Sequence, residues 1–492
     1  MTALYQIQEI RQLEQWALEA GITEYQLMVA AGEAAFNALM TRWPEAKHIA
    51  VCAGRGNNGG DGFVIARLAH EYGLQVSLYL IEEQRSSALT PSTARAAEAC
   101  KALGLVIQPW TSPFTLLQTD VIVDALLGIG ISGTLKKTYC AAIDAINTAG
   151  CPVLAVDIPS GIHADTGAIC GYAIKADLTV TFIGLKRGLY TATGPMHAGN
   201  ILCCSLGIPF TLYNRLTPTA ELLDGSHIHT LLPKRPKDSH KGSYGHVLVI
   251  GGDYGMGGAV RMAAEAAARV GSGLVTVATR PEHVPIVSGA RPELMCHQVA
   301  RDSDLEPLLK RASVIVIGPG LGKTEWAKSL LNTVLDSSLP KVLDADALNL
   351  LSLGPVSRAD WVLTPHLGEA ARLLNCSTQA IQDNRFNAIH DLQQKYHGVI
   401  VLKGSGTLIK NENPMVFICP AGNPGMASGG MGDILSGVIG GLLAQGLNLL
   451  AAAKVGVFVH SMAADRAAQE GGERGLLATD LLPYLRNLVN PC

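Results

Sequence analysis

HIAVCAGRGNNGGDGFVIARLAHEYG, residues 48–73, decides how the rest of the chain is read. A short apolar run, His48 to Gly54, predicts a buried strand. It ends in a glycine-rich loop, and Asp61 to Gly73 has helical spacing. The same grammar then repeats. VSLYLI (76–81) predicts a strand and TARAAEACKALG (93–104) a helix. VIVDALLGIG (121–130) predicts a strand running into a second glycine loop, with a helix over 139–150. VLAVDIPSG (153–161) and LTVTFIGLKRG (178–188) are two further strands with polar ends. Val/Ile-rich runs alternating with helices predict a parallel sheet covered on both faces. Residues 1–43, rich in Leu, Ala, Glu and Gln, predict helix before this unit begins.

Between about 215 and 242 the periodicity stops and Pro, Ser, Gly and charge mix, which predicts a linker. The grammar then restarts. HVLVIGG (246–252), GLVTVAT (273–279), SVIVIGPGLG (313–322), KVLDADALN (341–349), WVLTPHLGEAARLL (361–374) and VIVLKGSGT (399–407) each put a strand before a polar or glycine-rich end. GGAVRMAAEAAARVG (257–271), GDILSGVIGGLLAQG (432–446) and VGVFVHSMAADRAAQ (455–469) predict helices. The expectation is two α/β domains, 1–215 as a Rossmann-like doubly wound sheet and 225–490 as a second α/β domain.

Composition narrows the function classes. Of 492 residues 53 are glycine, well above the usual ~7%. Charged residues are scarce at 16% and the formal charge is −3. With no basic run, nucleic-acid binding lacks electrostatic support. The 11 cysteines form no C-x-x-C pair, and no apolar segment near the N-terminus resembles a signal peptide. Reduced thiols and a cytoplasmic location are expected. Ile434 to Ala453 is uncharged for long enough to be weighed as a membrane span. Ser436, Gln445 and Asn448 interrupt it, so a buried helix pair is expected instead. A homo-oligomer remains open.

In a doubly wound sheet, ligands bind outside the carboxyl ends of the strands. In the first domain Gly54 to Gly59 spell G-x-G-x-x-G, a weak dinucleotide signal by itself. Asn57 and Asn58 put amides in the turn, and Asp61 would place a carboxylate at the helix N-terminus, where a ligand's own anion is normally favoured. Asp124 ends one strand, and Gly128 to Thr134 offer backbone N–H groups. Asp157 and Ser160 end the next, and Lys186 follows the one after. A carboxylate and an amine in one crevice suit proton transfer, and a plain salt bridge would explain them equally well.

The sequence GNNGGDG, then VDALLGIGISG, AVDIPSG and FIGLKRG, closely resembles the NAD(P)H-hydrate epimerase family over residues 1–215. The resemblance implies interconversion of the R and S epimers of hydrated NADH and NADPH with a potassium ion. It implies that Asn58, Asp124 and Ser160 hold that ion. Asn57, Asn58, Gly59, Gly60 and Asp61 would contact the hydrated dinucleotide, with Gly128, Ile129, Gly130, Ile131, Ser132, Gly133, Thr134, Tyr139 and Asp157. Asp157 and Lys186 are the acid/base candidates.

In the second domain, Asn423 to Asp433 (NPGMASGGMGD) precede a long apolar helix. Glycines there let N–H groups converge on one anion, and Asp433 would draw the proton from a hydroxyl that receives a phosphoryl group. Lys403, Gly404, Ser405, Gly406 and Thr407 suit nucleotide phosphates without forming a Walker A loop; a hairpin turn is the other reading. His366 and Glu369 stand at another strand end. VIGGDYGMGGA, IGPGLG, DADALN, TPHLGEA, LKGSGT and NPGMASGGMGD strongly resemble the ADP-dependent NAD(P)H-hydrate dehydratase family, which is ribokinase-like. The resemblance implies dehydration of the S epimer with ADP converted to AMP and phosphate, and magnesium with the nucleotide. It implies that Gly258, Gly322, His366 and Asp433 contact the hydrate, and Lys403 to Thr407 with Gly432 the nucleotide. The order of the two halves resembles bifunctional repair enzymes. The competing expectations are an ATP-dependent vitamin kinase with an accessory domain, and a first domain that binds without catalysing.

Overall fold

The computed structural model of the chain describes residues 2–81, 88–110, 119–131 and 133–490. It divides into two compact units, Ala3–Ala220 and Glu221–Cys492. Among the described residues of the first, seven strands form one parallel sheet: β1 (His48–Ala53), β2 (Gln75–Leu80), β3 (Ile107–Pro109), β4 (Val121–Ala125), β5 (Val153–Val156), β6 (Leu178–Phe182) and β7 (Asn200–Cys204). Their order is β3-β2-β1-β4-β5-β6-β7. The chain leaves β1 towards one edge and returns to β4 on the other side. This is the topological switch of a Rossmann-like sheet, and it opens a crevice at the carboxyl ends of β1 and β4. Val51, Val123 and Leu154 are fully buried, as a sheet covered on both faces requires.

One expectation about the opening stretch needs correction. The helix begins at Asn57, not Asp61, and runs to Tyr72. Gly59 and Gly60, expected to be loop, fall in its first turn. The reason is space: a Cβ on Gly59 would sit 1.9 Å from the Gly54 carbonyl oxygen, and one on Gly62 2.6 Å from the Ala125 side chain. Close approach of helix to strand outweighs the roughly 1 kcal/mol that glycine costs a helix interior. Asp61 is therefore the fifth residue of the helix and buried, not a charge at its N-terminus.

In the second unit the strands between residues 246 and 419 are β8 (His246–Ile250), β9 (Leu274–Thr279), β10 (Met295–Gln298), β11 (Val314–Ile317), β12 (Lys341–Leu343), β13 (Trp361–Leu363), β14 (Val399–Leu402), β15 (Thr407–Lys410) and β16 (Val416–Cys419). They lie in the order β16-β15-β14-β13-β12-β11-β8-β9-β10. All pair in parallel except β14-β15 and β15-β16, which are antiparallel. Lys403 to Gly406 are thus a hairpin turn. The segment expected as linker carries a short strand, Ala220–Leu222, and short helical turns.

The uncharged stretch near the C-terminus is two helices, Met431–Ala444 and Leu449–Gly471. Met431–Ala444 packs on the helix Gly257–Arg269, with Gly437 against the Ala263 backbone. Among the described residues no helix is long and apolar enough to cross a membrane. The described cysteines are all free.

Candidate active sites

The switch point of the first sheet opens into a cavity of about 740 Å³. Asn57, Asn58, Asp61, Gly128, Ile129, Gly130, Ile131, Tyr139, Asp157 and Lys186 line it. Gly59 and Gly60 do not; they are buried against Gly54 and Met28. Gly133 and Thr134 are exposed outside its lining, and Ser132 lies outside the described residues.

Asp157 holds the cavity's ion pair. Its backbone is in the left-handed region, φ 67°, a strained conformation for a non-glycine residue. That turn brings Oδ1 onto the Lys186 ammonium, the Thr181 hydroxyl at 3.3 Å and the Phe182 N–H at 3.1 Å. Lys186 also donates to the Phe182 carbonyl at 2.7 Å and is 1% exposed. Asp61 has no hydrogen bond or ion pair among the described residues, and burial followed by the charges of Asp157 and Glu14 holds its carboxyl well above the usual range.

Asp124 lies deeper, fully buried at the end of β4. Ser160 meets it through its N–H at 2.8 Å and its hydroxyl at 2.6 Å, and the Leu126 N–H at 3.2 Å. All these partners are neutral, and burial pushes its carboxyl up to about 6. Next to the Gly128 loop, the buried Asn58 amide has neither its nitrogen nor its oxygen hydrogen-bonded among the described residues. A buried carboxylate without a counter-charge and an orphaned amide oxygen are both costly in isolation.

In the second unit, the ends of β12, β13 and β14 and the start of the helix Met431–Ala444 bring one lysine into a cluster of carboxylates. Lys403 Nζ lies 2.8 Å from Asp344 Oδ1 and 3.8 Å from Glu369. Thr364 donates to the same Asp344 oxygen at 2.8 Å. Gly432 sits directly over the pair; a Cβ there would be 3.2 Å from Lys403 Nζ and 3.4 Å from Asp344 Oδ2. Gly430, with φ 92°, caps this helix. Burial, then the charge of Asp344, pushes Asp433 up to about 7. Burial likewise takes Glu369 to about 7, against the pull of Lys403.

The other residues expected in this site are placed unevenly. The Gly322 N–H donates to Asp346 Oδ2 at 2.9 Å. Gly258 is exposed, with open space where a side chain would be. His366 is a helix cap: Nδ1 accepts from the Gly368 N–H at 3.0 Å, while Glu369 accepts from the His366 N–H at 2.8 Å. The turn Gly404–Gly406 is gripped from below by the buried Arg385, which donates to the carbonyls of Leu402, Lys403, Ser405 and Gly406.

Sequence reasoning missed several of these residues. Asp344 and Asp346 were visible only as letters of DADALN. Arg385 sits in an ordinary helix, and no spacing signals that it is buried. In the first unit Arg11, Glu14 and Leu18 line the cavity from the helix Ile7–Glu19. Their i, i+3, i+7 spacing was the available signal.

A Rossmann-like crevice with a buried lysine–aspartate ion pair, and a second α/β unit with a glycine-capped helix over a lysine–carboxylate cluster, define a two-domain enzyme built to handle nucleotides. Residues 24–188 match the family described as YjeF-related protein N-terminus, and 247–487 match NAD(P)H-hydrate dehydratase. A bifunctional NAD(P)H-hydrate repair enzyme of Coxiella burnetii is 64% identical over 491 residues, covering 100% of both chains. One of Escherichia coli is 45% identical, covering 98% of this chain and 93% of that one. A ribokinase-like protein of Enterococcus faecalis superposes on 56% of this chain and 96% of its own, with TM-score 0.52 and 31% identity. The chain belongs to the family of bifunctional NAD(P)H-hydrate repair enzymes, and it is an enzyme of two activities.

Proposed function

We propose that the first cavity epimerises hydrated NADH and NADPH, and that the second cluster dehydrates the S epimer with ADP as phosphoryl donor. The observation that carries this reading is Asp433. It is a carboxylate poised near neutrality, two residues beyond a glycine-capped helix start and beside Lys403. In the second site, Lys403 with the turn Gly404–Thr407 and the Gly432 N–H would hold the nucleotide phosphates. Asp433 takes the proton as the hydrate's hydroxyl oxygen attacks phosphorus and AMP leaves. Phosphate then departs with its C–O bond, the neighbouring carbon loses a proton, and the ring double bond returns.

Magnesium suits this chemistry because it keeps water ligands and is bound by one or two carboxylates together with phosphates. The described residues present no three-carboxylate or histidine cluster of metal-holding geometry, so the ion would arrive with the nucleotide. Asp344, Asp346 and Glu369 are the carboxylates nearest the nucleotide turn. The ion would neutralise developing phosphate charge when bound.

Potassium fits the first site. Asn58, Asp124 and Ser160 supply an amide, a carboxylate and a hydroxyl oxygen, and the carboxylate is the buried charge that lacks a counter-ion. Asn57, Tyr139 and the Gly128–Ile131 loop would seat the dinucleotide, and Asp157 with Lys186 the reacting ring. Domain limits of 1–215 and 225–490, a cytoplasmic location and a homo-oligomer belong to the same proposal.

Racemic hydrated NADH with ADP tests it. Recovery of all the NADH absorbance is expected. Recovery of half would leave the dehydratase alone standing, and turnover only with ATP on an alcohol substrate would overturn the second assignment.

A further inference from the structure

The helix Ile7–Glu19 forms one wall of the first cavity. Ile10, Glu14 and Leu18 follow one another at successive turns and, with Arg11, line it. Ile10, Leu13 and Ala17 anchor the helix in the core. Glu14 therefore sits on an immobilised surface. Its carboxyl makes no hydrogen bond or ion pair among the described residues, although the cavity also holds Lys186 and Arg11. Residue 14 also lies outside the stretch 24–188 that matches the family model.

Inverting the hydroxyl-bearing carbon requires two proton-transfer groups. That carbon is bonded to the ring nitrogen, so the ring can open. A base takes the hydroxyl proton, the C=O bond forms, and the C–N electron pair moves to nitrogen, which receives a proton from an acid. Rotation about the adjacent C–C bond and the reverse steps give the other epimer. No oxidant is needed, and the protons balance. Asp157 gathers all its donors on Oδ1, which leaves Oδ2 for the substrate. Two of the three Lys186 N–H groups go to Asp157 and the Phe182 carbonyl, and the side chain is 1% exposed, which favours another group as the partner.

We propose that Glu14 is that partner, a catalytic residue that exchanges protons with the substrate in alternation with Asp157. The inference rests on the epimerase reading of this cavity. Burial, followed by the negative charge of Asp157, raises the Glu14 carboxyl; Glu24 acts in the same sense, and Lys186 and Arg11 act against it. Asp61 faces the same field. Two carboxyl groups, Glu14 and Asp157, thus line one cavity, as proton exchange in alternation requires.

The test uses the full chain with pure R-hydrate plus ADP, so that absorbance recovery is limited by epimerisation, and pure S-hydrate as the control for dehydration. For Glu14→Gln we expect epimerisation kcat to fall by about 10²–10⁴ with KM little changed and S-hydrate turnover intact. Glu14→Asp should recover part of the rate, and its pH–rate profile should keep the limb that Glu14→Gln loses. Overturning results are near-normal kcat in Glu14→Gln, a change in KM alone, or an equal loss in Glu14→Asp and Glu14→Gln. Loss in Asp61→Asn with retention in Glu14→Gln would give the role to Asp61. Failure of the unaltered chain to hasten R-hydrate consumption would instead remove the epimerase reading itself.

Discussion

The glycine-rich stretches Gly54–Gly62 and Asn423–Asp433 look alike as sequence and do different work. In the first, every glycine but Gly56 is an absent side chain. Gly54 faces the Leu126 carbonyl, Gly59 the Gly54 carbonyl and Gly60 the Met28 side chain, all closer than any Cβ could stand. In the second, Gly425 and Gly430 are packed against Glu473 and Met262, but Gly429 has open space around it, Gly430 turns through φ 92°, and Gly432 leaves room above Lys403 and Asp344. The first stretch packs a helix onto a sheet; the second leaves open ground at Gly429 and Gly432, beside Lys403 and Asp344. The lysines differ in parallel. Lys186 is 1% exposed and pinned to one carboxylate and one carbonyl, whereas Lys403 is 19% exposed and shared between Asp344 and Glu369. The first pair is a fixed element of its wall, and the second keeps a partly open face.

The largest effect expected from this contrast is at Asp433. Asp433→Asn should cut dehydration of S-hydrate by about 10²–10⁴ and leave epimerisation unchanged. Comparable loss of both activities would break the separation of the two sites. The same residue sets a pH signature. With its carboxyl near 7, kcat/KM for dehydration should rise as pH increases through about 7, because the base must be ionised. Its contribution to stability runs the other way. The folded state keeps the proton up to about 7, whereas an unfolded aspartate releases it near ~3.9. Stability from this group therefore falls as pH rises across that window. A flat rate profile between pH 6 and 8 (about one unit either side of the expected limb) would take Asp433 out of the base role.

Lys403→Met comes next. It strands Asp344, which is 1% exposed, without its counter-charge. Breaking such a buried pair costs about 3–5 kcal/mol, and the lower end is expected because Lys403 is partly exposed. Thermal unfolding should show a loss confined to the second unit, together with weaker nucleotide binding. Gly54→Ala should follow at about 1–3 kcal/mol or more by overpacking, since its Cβ would lie 1.9 Å from a backbone oxygen. Gly130→Ala, which meets nothing within 4 Å, should leave stability unchanged. If both glycine variants behaved alike, the distinction between packing and ligand glycines would fail.

Strand–loop–helix grammar was legible because buried parallel strands are short runs of Val and Ile, and both sheets follow from it. Boundaries at glycines were not. The Asn57 helix start is decided by how close β1, β4 and Met28 approach, which is tertiary information. Short strands such as Ile107–Pro109 and Met295–Gln298 carry too few apolar residues to show a period. Motif residues at strand ends were readable one at a time; their partners were not. Asp344 meets Lys403 across 59 positions of sequence, and Glu14 reaches its cavity from a helix with no motif at all.

The smallest effect concerns His366, where a reading from sequence and the observed geometry give different roles. The resemblance makes it a substrate contact, and the structure makes it the N-cap of the helix Leu367–Leu374. As a cap, Nδ1 satisfies the Gly368 N–H, and Glu369 closes the reciprocal bond. Loss of an N-cap costs about 0.5–2 kcal/mol. His366→Ala should lose that much stability, and His366→Asn should restore it, because asparagine caps equally well. Its imidazole, with Nε2 3.3 Å from Glu369 Oε1, is still 54% exposed, so its outer edge is open to a ligand. The two roles then separate cleanly. If capping is all it does, His366→Asn keeps the KM for S-hydrate along with the stability. If it also grips the hydrate, stability returns while KM stays high. The second outcome would mean that the helix cap holds Glu369 inward, beside Lys403, while presenting the histidine outward to the substrate.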